Sequence, residues 1–521
     1  MQEAAQAPMP ETMPAKWAKV IDHQSCIGCH ACSTACKSEN EVPLTVHRTY
    51  VKSVDVGTFP RVRRAFQVTR CNQCDDAPCT TACPTTAMYR RADGIVDFDK
   101  SACIGCKACI AACPYDAIFI NPEDHSAEKC NFCAHRIDGG LEPACVTVCP
   151  TQAILVGDMN DPSSAVSQLI HREAVAVRRP EKATKPKLFY RGAHQATLDP
   201  LAARRPDGGL FMWSQQTIGD EYVVSGSPRE TAGRHGDPGN SSAAAVLSYD
   251  VAHKIPWDWR VSLYTLTKGI AAGVYLVALA LVLAGRVEAA AALWLWAAPV
   301  LAGVFLAITG ALLIWDLEHP ERFFYIFTRP QWRSWLVKGA FVIAGYSAVL
   351  AGHVAAALAG WPDGALHLGW PGLPLAAMTA VYTAYLFAQA KARDLWQSPL
   401  LPPHMLVQAA LAGSAALLPA AAVLEPAAVE PLLWTLSASS LVHLLLVWGE
   451  NTLPHVTAHA RQAAREMTRG RYRRFFRASV VLAAVAVSAP TIGLVAAPAA
   501  LIGLLAFEHA YVQAGQSVPL A

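Results

Sequence analysis

CIGCKACIAAC runs from Cys103 to Cys113, and CIGCHACSTAC, nearly the same phrase, runs from Cys26 to Cys36. Each sets four cysteines at C-x2-C-x2-C-x3-C. Two further sets follow the same idea with altered gaps: Cys71, Cys74, Cys79 and Cys83, then Cys130, Cys133, Cys145 and Cys149. All 16 cysteines of the chain belong to these four sets, and none lies beyond Cys149. Three sets end in Cys-Pro, at Pro84, Pro114 and Pro150, whereas the first continues with Lys37.

Spacings of this kind hold 4Fe–4S cubanes, and the run at Cys103 matches the bacterial ferredoxin pattern C-x2-C-x2-C-x3-C-P residue for residue. In that pattern three close cysteines wrap one cluster and the fourth serves the neighbouring cluster. Sets two and three are close in sequence and are expected to pair. Sets one and four then pair by elimination. Four 4Fe–4S clusters are expected, held by Cys26/Cys29/Cys32/Cys149, Cys71/Cys74/Cys79/Cys113, Cys103/Cys106/Cys109/Cys83 and Cys130/Cys133/Cys145/Cys36. Zinc accepts C-x2-C pairs but gives no reason for four repeats of C-x3-C. Disulfides suit small secreted domains. The first residues, MQEAAQAPMPETMPAKWAKV, contain no apolar core and no twin arginine, so no export signal is expected here.

A chain of 521 residues is too long for one ordinary core. Only 16% of its residues are charged, and mean hydropathy is +0.25. The apolar residues concentrate after Trp257. A membrane helix needs about 20 of them, and candidate spans are 261–285, 289–314, 335–357, 368–390, 404–424, 431–449, 477–495 and 497–516. The last two share one run broken near Pro490 and Pro498, which reads as a hairpin. Four segments result: a tail at 1–16, a cysteine-rich domain at 17–157, a polar Pro/Gly/Ser/Arg-rich linker or strap at 158–256, and a membrane domain at 257–521. The expected fold is an α+β double ferredoxin-like domain followed by an all-α bundle of eight transmembrane helices.

CIGCHACSTACKSENEVPLTVHRTYVK, RCNQCDDAPCTTACPTTAMYRRADGIVDFD and KCNFCAHRIDGGLEPACVTVCPTQAI resemble the four-cluster iron–sulfur subunits of molybdopterin oxidoreductases related to dimethyl sulfoxide reductase, polysulfide reductase and formate dehydrogenase. The loop WDLEHPERFFYIFTRPQWRSWLVKGAFV, Trp315 to Val342, resembles the signature of the NrfD-type membrane subunit of polysulfide reductase. PWDWRVSLYTLTKGIAAGVYL looks like that family's first helix, and EHAYVQAGQSVPL is a weaker match. The chain thus resembles a fusion of two subunits that are usually separate. The resemblance implies a separate catalytic subunit with a molybdenum or tungsten bis-pterin. It also implies a membrane quinone, menaquinone or ubiquinone, as electron partner. No segment here looks able to bind the pterin, so substrate chemistry is expected elsewhere and this chain is expected to be a redox subunit. No nucleic-acid partner is expected.

Ionisable residues inside membrane spans are rare and usually functional. The expected quinone site is built from Lys268, Tyr264, Asp316, His319 and Arg322, with Asp316 as counter-ion of Lys268. His353, His443, Glu450 and Glu508 are further intramembrane candidates. His353 and His443 could hold a haem between them, but the signature loop belongs to a family without one, and no haem is expected. Arg322, Arg329, Arg333, Lys338, Lys391, Arg393, Arg461, Arg465, Arg469, Arg471, Arg473, Arg474 and Arg477 fall on the cluster side of an eight-span topology, and only Arg286 falls opposite. The positive-inside rule then puts the clusters on the cytoplasmic face of a bacterial inner membrane. A periplasmic face is the alternative, because relatives are exported by a signal on the catalytic partner. Sulfite or formate oxidation fits the first arrangement; polysulfide, tetrathionate or sulfoxide reduction fits the second. Two rival readings are a proton-moving membrane subunit and a passive anchor without a quinone site.

Overall fold

The structure is a computed structural model in which residues 14–204 and 244–521 are described. Strand β1 (Trp17–Asp22) opens the cysteine-rich domain, and β2 (Thr49–Thr58) and β3 (Arg61–Arg70) form a hairpin of ten paired residues. Short pairs follow: β4 (Met88–Arg90) with β5 (Val96–Phe98), and β6 (Ile118–Ile120) with β7 (Ala127–Lys129). Each is an antiparallel pair that follows one of the Cys-Pro turns, at Pro84 and Pro114.

Residue 157 marks no break in packing. Strand β8 (Ile154–Asp158) pairs antiparallel with β1; β9 (Val175–Ala176) pairs with β10 (Leu188–Arg191), which lies parallel to β1. Strand β11 (Val246–Tyr249) joins β2. The described part of segment 158–256 therefore supplies strands to both larger sheets of the domain. Strands of two to five residues leave no periodicity to read, which is why composition alone suggested a linker or strap. Its remainder, residues 205–243, lies outside the described residues.

The membrane domain comprises α1 (Trp259–Leu283), α2 (Leu293–Trp315), α3 (Trp335–Leu358), α4 (Pro362–Gln389), α5 (Leu401–Leu424), α6 (Pro426–Thr452), α7 (Arg473–Val487) and α8 (Ala489–Gln516). Among the described residues seven of these are long and apolar enough to cross a membrane, and α7 is not. This corrects the expected count of eight. At about 1.5 Å per residue, the 15 residues of α7 reach well short of a hydrocarbon core of about 30 Å. The chain then turns through Pro490 and Gly493, whose φ is +66°. The hairpin expected near Pro490 is present, but it begins before the far face is reached: the carbonyl of Val487 accepts from Ser437 in α6.

Helix α1 is the centre of the bundle, with 72% of its most apolar window buried against 33–56% for the other spans. Asp258 caps it, accepting from the Arg260 amide at 2.8 Å. Its closest neighbour is α5, where Gly273 meets Gly413 backbone to backbone; a Cβ on Gly273 would stand 1.8 Å from the Ala409 carbonyl oxygen. Small residues allow such an approach in membranes. Helix α8 ends beside the start of α1, where Gln516 Oε1 accepts from the Trp257 amide at 3.2 Å. The polypeptide therefore returns to the face from which it entered.

Candidate functional site

The thiols gather in four groups. Cys26, Cys29, Cys32 and Cys149 line one cavity of about 330 Å³, and Cys83, Cys103, Cys106 and Cys109 line another of about 360 Å³. Cys113 lies in electrostatic reach of Cys71, Cys74 and Cys79. Cys36 lies in reach of Cys130, Cys133 and Cys145, and Asn40 donates to the sulfurs of both Cys36 and Cys133 at 3.7 Å. Backbone amides are aimed at several sulfurs: Met88 at Cys83, Ala127 at Cys103 and Ala153 at Cys149, at 3.2–3.4 Å. Such donors and buried cations suit the negative charge of a thiolate-bound cluster. Cys145 shows the effect: burial raises its thiol, yet Arg70 at 2.9 Å and Lys19 at 3.7 Å bring it down to about 7.

Electrostatic proximity between the sets gives them an order. Cys109 neighbours Cys79, Cys71 neighbours Cys130, and Cys145 neighbours Cys32. Gln73 in set two also donates to the Cys130 carbonyl at 2.8 Å. The line therefore runs from set three through sets two and four to set one. Set one ends at the surface, where Cys29 is exposed and Ile27 keeps 58% of its surface.

Set three lies against the membrane domain, and the loop after α2 clamps it. Glu318 and His319 donate their amides to the carbonyls of Gly105 and Ile104 at 3.4 and 3.3 Å. Arg322 Nη1 donates to the carbonyls of Lys100 and Cys103, both at 3.0 Å. His319 meets Ser126 at 3.2 Å. Lys107 donates to the Asp316 carbonyl at 3.1 Å and pairs with Glu318 at 3.0 Å. Trp257 Nε1 donates to the Cys106 carbonyl at 3.3 Å. Set two is gripped as well, with Gln331 donating to the Pro84 carbonyl and Ser334 to that of Ala82, each at 2.9 Å.

Two sequence expectations are corrected here. The five residues expected around one site do not all meet, and Tyr264 stands between the two ends, in electrostatic reach of both Asp316 and Glu508. His319 and Arg322 hold the cluster loop, and Asp316 sits beneath it beside Lys107. Lys268 and Tyr264 lie deeper in α1. Asp316 is not the counter-ion of Lys268, which donates to the Ala380 carbonyl at 2.8 Å and the Thr383 hydroxyl at 2.7 Å and faces the Glu508 carboxyl. The physical reason is helix position: Lys268 lies almost three turns into α1, whereas Asp316 follows the last turn of α2 and is buried at the seam with the cluster domain. Burial pushes the Asp316 carboxyl up to about 6, opposed by Lys107. His353 and His443 also lie apart. His353 meets Tyr275 at 3.2 Å; His443 meets His404 at 2.8 Å, and His404 in turn meets Glu450 at 3.3 Å. Sequence reading missed His404, which stands in no motif, and Lys107 and Trp257, which lie inside CIGCKACIAAC and PWDWRVSLYTLTKGIAAGVYL but carry no signal of a role of their own.

Between the cluster domain and the start of α1 opens a cleft of about 1470 Å³. Lys107, Ile118, Phe119, Asp258, Arg260 and Glu318 are among the residues lining it.

A sequence model of the 4Fe-4S dicluster domain matches residues 62–159, and one described as polysulphide reductase, NrfD, matches residues 248–488. A tetrathionate reductase subunit of Salmonella typhimurium is 42% identical over 193 residues, 36% of this chain and 77% of that protein. A polysulfide reductase polypeptide of Wolinella succinogenes is 43% identical over 180 residues, 34% of this chain and 94% of that protein. The protein belongs to this family of iron–sulfur subunits. It carries an NrfD domain on the same polypeptide, and it is an iron–sulfur electron-transfer protein with a multi-pass membrane anchor. A further family member, the arsenate respiratory reductase iron-sulfur subunit ArrB of a Shewanella species, is 37% identical over 219 residues, 33% of this chain and 94% of that protein.

Proposed function

We propose that the chain carries electrons through four 4Fe–4S clusters between a separate molybdopterin catalytic subunit and the membrane quinone pool. The observation that carries this reading is the seam just described. The membrane loop grips the backbone of set three, at one end of a line of thiols whose other end is exposed. The ligand sets are the four given above. The quinone headgroup sits in or beside the interdomain cleft, within reach of Lys107, Arg260 and Asp316; His319 and Arg322 position the cluster loop next to it. Quinone takes up two electrons and two protons, whereas clusters deliver electrons singly. Ionisable groups at the cleft therefore supply protons while the semireduced state is held. Lys268 and Tyr264 lie behind this entry in α1 and serve as its inner proton path.

The unit of electron transfer comprises residues 17–157 with the strands β8 to β11, and residues 257–521 form the anchor. The anchor lies in the bacterial inner membrane, with the clusters on the cytoplasmic side. Some of the basic residues behind that orientation have other work: Arg322 holds the cluster loop, and Arg393 donates to the Gln516 carbonyl at 3.0 Å. A reporter fused after Ala521 tests the face. Activity there of a cytoplasm-dependent reporter supports the orientation, and activity of a periplasm-dependent one reverses it.

The test of the main reading is a pair of measurements on the purified complex. Iron and sulfide should each approach 16 per chain, four of each per cubane. Quinol or a quinone analogue should change the paramagnetic spectrum of the clusters, and the Asp316→Asn variant should slow that exchange while reduction from the catalytic side continues. Unchanged exchange in the variant moves the quinone site elsewhere. One observation favours a second reading, proton movement through the membrane domain. Lys268, Glu508, His404, His443 and Glu450 form a buried polar chain across α1, α5, α6 and α8. Proton uptake by sealed liposomes during turnover decides for it.

A further inference from the structure

The hairpin of β2 and β3 has a use that electron transfer alone does not require. Its inner half is buried: Val51, Val54 and Val68 each expose 1% or less. Its outer end comes free only past Val56, which packs beside Ala202 and Ala203, and Asp55 still pairs with Val246 of β11; beyond them Thr58, Arg61, Val62, Arg63 and Arg64 are exposed. The free end is the two pairs Gly57–Val62 and Thr58–Arg61 with the turn between them, a projection of roughly 7 Å at about 3.4 Å per pair. At the tip Phe59 is 92% exposed and Val62 50% exposed. Arg64 is held by a two-point pair with Asp55 at 2.7 and 2.9 Å. Arg61 and Arg63 are exposed on the opposite face of the ribbon, and neither has an ion-pair partner among the described residues. A two-stranded ribbon is marginally stable alone, and one exposed aromatic by itself means little. The root of the ribbon gives the tip its meaning.

That root is a wall of the set-one site. Val51 and Val68 line the cavity of Cys26, Cys29, Cys32 and Cys149. The Phe66 ring lies so close over Gly28 that a Cβ there would stand 2.3 Å from it. The ribbon therefore grows out beside the exposed end of the thiol line. The membrane lies at the other end of that line, against set three, so lipid is not what the tip meets.

We infer that the β2–β3 hairpin is a docking arm for the catalytic subunit, with Phe59 as its apolar anchor and Arg61 and Arg63 as its charge recognition. The inference rests on the proposed function, which supplies that subunit. The arm fits a partner surface with an apolar pocket rimmed by carboxylates, and it seats the partner's redox centre over set one. Aromatic and arginine side chains are the residue types that most often dominate such contacts.

The test uses the full complex, purified from native membranes through a tag on this chain. The Phe59→Asp, Arg63→Glu double variant should keep its iron and sulfide per chain. It should lose tenfold or more of the molybdenum or tungsten that co-purifies. Wild-type metal content in the variant overturns the arm. A photoreactive benzoylphenylalanine in place of Phe59 gives a second readout that leaves the ribbon intact. Cross-linking to the metal-bearing subunit supports the proposal, and cross-linking only to lipid or to this chain overturns it. A wild-type complex whose large subunit holds neither metal sinks the pterin reading instead, while the cross-link still decides whether the tip touches that subunit.

Discussion

Two loops of nearly identical sequence end in opposite surroundings. CIGC at Cys26–Cys29 faces out, with Cys29 exposed, whereas CIGC at Cys103–Cys106 lies under the membrane loop. Each carries a glycine at the same place with nearly the same backbone, φ +68° at Gly28 and +70° at Gly105. Over Gly28 lies the ring of Phe66; over Gly105 lies the backbone of Glu318. The phrase therefore specifies how a loop wraps a cluster, and the neighbour specifies what the cluster exchanges electrons with. A soft ring leaves one end open to a partner. Peptide hydrogen bonds tie the other end to the anchor.

The largest effect separates the two ends by ligand exchange. Cys83 belongs by sequence to set two but lines the cavity of set three. The Cys83→Ser variant should damage the set-three cluster and stop electron exchange with quinone, while the set-one signal in paramagnetic resonance persists. Loss of the set-two cluster in its place breaks the swapped pairing. Cys149→Ser is the mirror experiment. It should remove the set-one cluster and the entry from the catalytic subunit, yet leave quinol able to reduce the membrane-end cluster.

A smaller effect should distinguish the two glycines. Either change to alanine forces a side chain into the left-handed region, costing of order 1 kcal/mol. At Gly105 the new Cβ also meets Glu318 Cβ at 2.4 Å and its backbone nitrogen at 2.8 Å, so the clamp must open. At Gly28 a ring can swing aside. Gly105→Ala should therefore cut quinone exchange tenfold or more, and Gly28→Ala should leave it within about threefold. Equal loss in both variants removes the distinction between a rigid seam and a soft end.

The same contrast explains what could be read from the sequence in advance. Cluster wrapping is local, so the spacing of 16 cysteines carries it. Membrane spans are local too, and seven of the eight expected helices have the length to cross. The seam is not local. It joins residues such as Arg322 and Lys100, 222 positions apart, through carbonyl oxygens that no side-chain pattern reveals. The partner of Lys268 was misread for the same reason: Asp316 is nearer in sequence, while Glu508 is brought alongside by the packing of α8 against α1. The short strands β8 to β11 lacked the length to show an alternation. The break after α7 was legible at Pro490, but how deep in the bundle it falls was not.

Smaller again is the effect expected of Lys268→Met. A buried lysine with a hydroxyl, a carbonyl and a carboxyl around it is a costly group to keep in an apolar bundle. Its removal leaves Glu508 without its cation. Quinone exchange should slow, whereas spectra of the seam cluster should stay unchanged, because Lys268 touches no residue of sets two or three. Wild-type exchange in this variant confines the proton path to the cleft.

The smallest expected effect is the most specific to the buried end. Trp257 donates its indole proton to the carbonyl of Cys106, a residue of set three. Its ring is stacked with Phe387 and Trp396, with centroids 5.9 and 5.6 Å away. Trp257→Phe keeps an aromatic ring in the stack and deletes the donor. The net worth of one such bond is about 0.5–1.5 kcal/mol, so the protein should fold, hold its iron and span the membrane as before. What should change is the peptide dipole beside the cluster. Without the indole the Cys106 peptide is less polarised, and its region holds the added negative charge of the reduced cluster less well. The set-three midpoint potential should therefore fall, and those of sets one and four should not move. A redox titration followed by paramagnetic resonance reads all of them in one sample. A shift shared by every cluster would mean that Trp257 acts on the fold of the whole domain, and no shift at all would make the bond a packing contact without electronic consequence.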